Sequence, residues 1–191
     1  MSSTKMEAMP TFTKDQIEKA LGRLERGLAR YLWLQHHVRS CEVSTNVHFQ
    51  TFFNGFYKVR RNSHWRSIYF TLMESAKVKQ IEFPEVLTEI SRTTGRLEAS
   101  FASKLVATLD PSMPVIDKFV LKNFALQLPR HGSQNRELKT IELYRQLCTK
   151  YCDFIQSPTG TMIRELFDSQ HPNSGVSELK KIDLVLWQIR P

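Results

Sequence analysis

The chain has 191 residues, 41% hydrophobic and 24% charged, proportions that suit one globular domain or two small helical lobes and exclude global disorder. Seven glycines and eight prolines are too few for the turns of an all-β sandwich or barrel, so helices are the default. Twenty-seven Lys and Arg against nineteen Asp and Glu leave a formal charge of +8, which points to a polyanionic partner.

No apolar run approaches the roughly 20 residues that span a bilayer, and no signal peptide opens the sequence, so nucleic acid is expected rather than membrane. Three cysteines, an odd number, argue against a secreted disulfide framework and for a reducing cytoplasm. Cys148 and Cys152 lie one helical turn apart without a second pair at zinc-ligand spacing, and read as small core residues.

Residues 1–12, rich in Ser, Thr and Met, read as a flexible leader, and 13–191 as a single all-α domain. Thr13-Lys14-Asp15-Gln16 fits a capping box. One long helix is expected after it, because Ile17, Leu21, Leu24, Leu28, Tyr31 and Leu32 recur at three- and four-residue steps. A polar break at Ser40 to Asn46 precedes the run from His48 to Asn62, dense in aromatics and ending in Lys58, Arg60 and Arg61.

Asn62 or Ser63 can cap a helix whose apolar face is Trp65, Ile68, Tyr69, Leu72, Met73 and Ala76. Pro84 suits the first turn of the next helix, which fades toward Thr93-Thr94-Gly95. Further helices are expected over Leu97 to Thr108 and, after the loop forced by Pro111 and Pro114, near Asp117 to Gln127. A second break at Pro129 to Gln134 is followed by periodic runs over Leu138 to Ile155, Thr161 to Phe167 and Leu179 to Ile189.

Phosphate-binding Gly-Lys-Ser/Thr loops, dinucleotide glycine fingerprints, His-Glu-x-x-His and Gly-x-Ser-x-Gly are all absent, so no cofactor is implied. Neighbouring His36 and His37 point to different sides of a helix, and no metal is expected there. Phe52, Phe53, Phe56 and Tyr57 could offer stacking faces to an unstacked base while Lys58, Arg60 and Arg61 bind the flanking phosphates. Most such rings are core; Tyr57, with its polar tip, is the one expected near a cleft. Asp183, among apolar neighbours, is either solvated or in an internal ion pair with Lys104 or Arg60.

Thr94-Gly95-Arg96-Leu97-Glu98-Ala99 leading to Lys104, and then Pro114-Val115-Ile116-Asp117 followed by Val120, resemble the helix-hairpin-helix DNA glycosylase superfamily. In that superfamily a glycine-containing hairpin enters a helix and a short loop delivers an aspartate. Twenty-two positions separate Gly95 from Asp117, against roughly twenty in these base-flipping enzymes. A second resemblance, to a bacterial glycosylase-like family of no settled activity, rests on Phe53 to Asn62, Ser100 to Lys104, Pro114 to Asp117 and Lys180 to Trp187. The hairpin departs from the superfamily pattern in keeping one glycine. Leu97 and Glu98 stand where bifunctional members carry a Schiff-base lysine, which excludes lyase chemistry from that position.

The resemblance implies a two-lobed all-α fold that binds DNA, in duplex form, through Lys58, Arg60, Arg61, Gly95 and Arg96. It also implies monofunctional removal of a damaged or modified base. Asp117 would stabilise positive charge developing on the sugar and orient water, or serve only as a helix cap. Lys104 would turn inward to pair with Asp117, act as an amine nucleophile, or simply reach solvent or a phosphate. Glu98 would be an acid or base across the same pocket, or merely complement a helix dipole. Phe53 and Tyr57 would line the base pocket. The alternatives are a non-catalytic nucleic-acid-binding or regulatory module on the same fold and a plain protein-interaction domain.

Overall fold

The computed structural model describes residues 9–79 and 82–189. Among the described residues there are ten helices and no strand, so the fold is all-α. Most of the leader lies outside the described residues, but Met9 and Phe12 pack on the core, with the Phe12 ring edge-on to Phe154 at 6.4 Å.

The Thr13 capping box forms: its hydroxyl accepts from the Gln16 N–H and the Gln16 side chain accepts from the Thr13 N–H. The single long helix expected after it is in fact two, α1 (Lys14–Leu21) and α2 (Glu25–Val38). Gly22, a weak helix former, permits a tight turn in which the N–H groups of Arg23 and Leu24 reach back only three residues. The apolar stripe continues through the turn because Leu21, Leu24 and Leu28 all stay buried.

Asn46 caps α3 (Val47–Tyr57), and Asn62 caps α4 (Ser63–Lys79) by accepting from Trp65 N–H at 2.9 Å. Reciprocal bonds between Glu82 and Glu85 start α5 (Phe83–Thr94), with Pro84 in its first turn. Gly95, left-handed at φ 68°, ends α5 and turns the chain into α6 (Ala99–Leu109).

The helix expected over Asp117 to Gln127 is shorter, α7 (Lys118–Asn123). Phe124 turns into the core and Ala125 adopts φ 55°, letting the Leu126 N–H close on the Leu121 carbonyl at 2.8 Å. The remaining helices are α8 (Arg136–Gln156), α9 (Pro158–Gln170) and α10 (Glu178–Leu186). At the α8–α9 corner the backbones approach so closely that a Cβ on Gly160 would lie 1.9 Å from the Phe154 carbonyl oxygen.

Helices α2 to α6 pack on one another, while α1 crosses over to pack with α9 and α10 beside α7 and α8. The two groups meet where α5 lies on α8, and one continuous apolar core runs through both. Of the two cysteines expected in the core, Cys148 is half-buried against it, burial pushing its thiol up to about 11, whereas Cys152 is exposed. No described helix is long and apolar enough to cross a membrane.

Candidate nucleic-acid interface

Lys58 takes the left-handed conformation at the end of α3, φ 53° and ψ 46°, with its N–H and that of Val59 both closing on the Asn54 carbonyl. This turn sends Val59 inward and Arg60 outward. It brings Arg60, Arg61 and Asn62 against the far end of α5, where Arg96 follows the Gly95 turn. Arg60, Arg61, His64 and Arg96 thereby line one cleft of about 280 Å³. Lys58, Arg60 and Arg96 are exposed and form no ion pair among the described residues. Four of the five residues expected to contact nucleic acid thus present charge in one region. The fifth, Gly95, does not offer its N–H to a phosphate, because that group already donates to the Ser91 carbonyl at 2.9 Å.

Glu98 sits where the cleft meets α6, 2.6 Å from Arg61, with side-chain exposures of 12% for Glu98 and 30% for Arg61. The role of acid or base across a pocket from Asp117 gives way to that of Arg61's counter-charge. The Arg61 guanidinium also lies 5.5 Å from the Phe101 ring and 5.9 Å from Trp65.

Asp117 stands beside the first turns of α6, where the preceding loop is pinned on several sides. Ser100 Oγ donates to the Ile116 carbonyl at 2.9 Å, and the Ile116 N–H donates to Ser103 Oγ at 2.8 Å. Tyr144 OH donates to the Pro114 carbonyl at 3.0 Å, and Ser177 Oγ to that of Pro111 at 2.6 Å. Asp117 Oδ1 accepts from the Phe119 N–H at 2.8 Å, so the residue does cap α7. Half-buried, it also lines a groove of about 770 Å³ whose other walls include Ser100, Ile116, Leu121, Leu126 and Leu128.

Lys104 lies on α6 between these two regions, partly buried, its ammonium 5.0 Å from the Phe101 ring and 5.6 Å from Tyr57. It donates to the Tyr57 carbonyl at a long 3.5 Å. Burial pulls its pKa down, and the carboxylates of Asp117 and Glu98 only partly oppose the shift. No carboxylate comes within ion-pair distance of it among the described residues, so the expected pair with Asp117 is not made. Lys104 is not among the residues lining either groove.

The aromatic expectations also change. Phe53 is fully buried, its ring packed among Phe49, Tyr57, Tyr69 and Phe70, and has no face to offer a base. Tyr57 is 5% exposed, with its hydroxyl 3.4 Å from Thr108 Oγ1. The half-buried rings are Phe52 and Phe56, on the neighbouring stripe of α3 and packed against the edge of the core.

Asp183 is fully buried, but its partners are neither Lys104 nor Arg60. Lys180 Nζ donates to one carboxylate oxygen at 2.6 Å and Tyr151 OH to the other at 2.8 Å. Both side chains of the pair are at most 1% exposed. Lys180 and Asp183 stand three residues apart on a helix buried at every position from Leu179 to Leu186, a spacing readable in the sequence.

His64, Trp65 and the loop-pinning Ser100, Ser103 and Tyr144 also belong to these sites, beyond the residues expected from sequence. The two serines, three apart among alanines on one face of α6, were the available signal. Among the described residues no cluster of three His, Cys, Asp or Glu side chains is placed to hold a metal ion. Comparison with protein-family models, with curated proteins and with solved structures finds no match for this chain.

Proposed function

We propose that the protein binds DNA through the face carrying Lys58, Arg60 and Arg96, and that Asp117 assists cleavage of an N-glycosidic bond in a nucleotide lodged in the adjoining groove. The convergence of Arg60, Arg61 and Arg96 from two separate turns on one cleft carries this reading, since it concentrates the chain's positive excess where a phosphate backbone would lie. Asp117 has one oxygen held by the Phe119 N–H. The other can face a sugar on which positive charge grows as the C1′–N bond breaks and the base leaves with the bonding electrons. The same carboxylate can accept a proton from the attacking water. The pinned loop supports this role, because a group that acts on a transition state must be held in place before the reaction.

A non-catalytic DNA-binding module on the same fold is the second reading, and one observation favours it. Among the described residues, those lining the groove with Asp117 are aliphatic, polar and basic, without the aromatic face that commonly holds an extruded base. One assay separates the two. Incubation with duplexes that each carry a single altered base, followed by detection of abasic sites, should give a product with one class of base and none with Asp117→Asn. Binding without abasic sites on every duplex selects the second reading; no binding at low salt contradicts both.

A further inference from the structure

We propose that the arginine cleft is a discrete phosphate pocket that takes the terminal phosphomonoester of a nucleic-acid strand. The inference rests on the nucleic-acid reading for the identity of the strand, but not for the phosphate.

Arg60, Arg61 and Arg96 line the cleft, and Glu98 beside Arg61 is the carboxylate that faces them, leaving two guanidinium charges unbalanced. An internal phosphodiester carries one negative charge, whereas a phosphomonoester carries about 1.5 to 2 at neutral pH and matches that excess. Two buried donors in the cleft have no acceptor among the described residues: the Nε of Arg61 and the indole Nε1 of Trp65. Unpaired donors of these kinds also occur elsewhere among the described residues, at Arg136, Arg164 and Trp187, but here they adjoin unbalanced guanidinium groups, where an anionic acceptor would satisfy both.

Asn62 uses its carbonyl oxygen to cap α4, which leaves its amide N–H groups as further donors at the rim. Thr93 and Thr94 turn their hydroxyl protons back to carbonyls of α5 and so do not compete as donors. The cleft also opens at the first turn of the 17-residue α4, whose dipole favours an anion. Its volume of about 280 Å³ lies at the small end of ligand pockets, room for a phosphate and part of its sugar but not for a paired strand passing through.

Titration calorimetry with inorganic phosphate, and then with one oligonucleotide bearing a 5′-phosphate, a 3′-phosphate or hydroxyls at both ends, tests the proposal on the full chain. Saturable phosphate binding is expected, together with tighter binding of one phosphorylated oligonucleotide than of its hydroxyl counterpart by about tenfold or more. Arg60→Ala and Arg96→Ala, both exposed positions, should each weaken phosphate about tenfold or more while the helical circular dichroism stays unchanged. Equal affinity for all three oligonucleotides, or phosphate binding untouched by either variant, overturns the pocket while leaving DNA binding intact. Phosphate binding without any oligonucleotide binding overturns the strand assignment and the proposed function, and leaves the pocket standing.

Discussion

Two lysines are drawn into this fold, and they are treated in opposite ways. Lys180, 1% exposed on α10, meets a fully buried Asp183 whose second oxygen is taken by Tyr151, and its ammonium lies 5.4 Å from the Tyr31 ring. Burial is the strongest single influence and works against its charge, but Asp183 together with Tyr57 and Tyr31 outweighs it and raises its pKa. Lys104 on α6 has ring faces and one long bond to a carbonyl, and there burial prevails and the pKa falls. A satisfied buried charge belongs to the architecture. A poorly compensated one, with no carboxylate at ion-pair distance, is the kind of group found where function is sought.

The largest contrast should appear in stability. Lys180→Met strands Asp183 in the core and should cost about 3–5 kcal/mol. Lys104→Met strands nothing and should range from no change to about 1 kcal/mol of added stability, measured by urea unfolding. Equal losses at both positions would erase the distinction.

The next effect concerns Asp117, the carboxylate nearest to function. Asp117→Asn retains a good cap, so stability should stay within about 1 kcal/mol of the parent. Abasic-site formation should fall roughly a hundredfold or more. Loss of folding would instead make Asp117 a purely structural cap, a counterpart of Asp183.

A smaller effect separates the lysines by pH. The unfolded chain keeps each lysine proton up to about pH 10.4. Folded Lys104 releases its proton earlier, so the unfolded state binds more protons in that window and stability rises with pH toward 10.4. Folded Lys180 holds its proton longer, so its contribution is complete below about pH 10.4 and is lost above it. Stability curves of Lys104→Met and Lys180→Met, each subtracted from the parent, should therefore bend in opposite directions. Curves that bend alike would contradict the assignment of the two environments.

The helical class, the Thr13 and Asn62 caps, the Gly95 turn and the Asp117 position were legible because each rests on local chemistry: a side chain that bonds its own backbone, or a residue that tolerates φ above zero. The break at Gly22 was hidden because the apolar stripe runs through it without a change of phase. The early end of α7 was hidden because Ala125 stands in a left-handed position where glycine is the usual sign. Which aromatics of α3 are enclosed depends on α4, whose Tyr69 and Phe70 close over Phe53, and periodicity within α3 does not reveal that. Asp183 is visible as a charge among apolar neighbours, and its partner Lys180 is a neighbour on the same helix rather than a distant cation. The basic cleft was only half legible: Arg60 and Arg61 announce themselves as a cluster, whereas Arg96 joins them through the packing of α4 on α5.

The claim that this cleft and its surroundings form a nucleic-acid interface is tested most directly by the salt dependence of duplex binding. Affinity should fall steeply as salt rises for the parent protein. Replacing Lys58, Arg60 and Arg96 together by Ala should flatten the plot of log affinity against log salt by about 2 to 3, the counterion release of three phosphate contacts. A slope unchanged in the triple variant, or no duplex binding at low salt, would contradict the account.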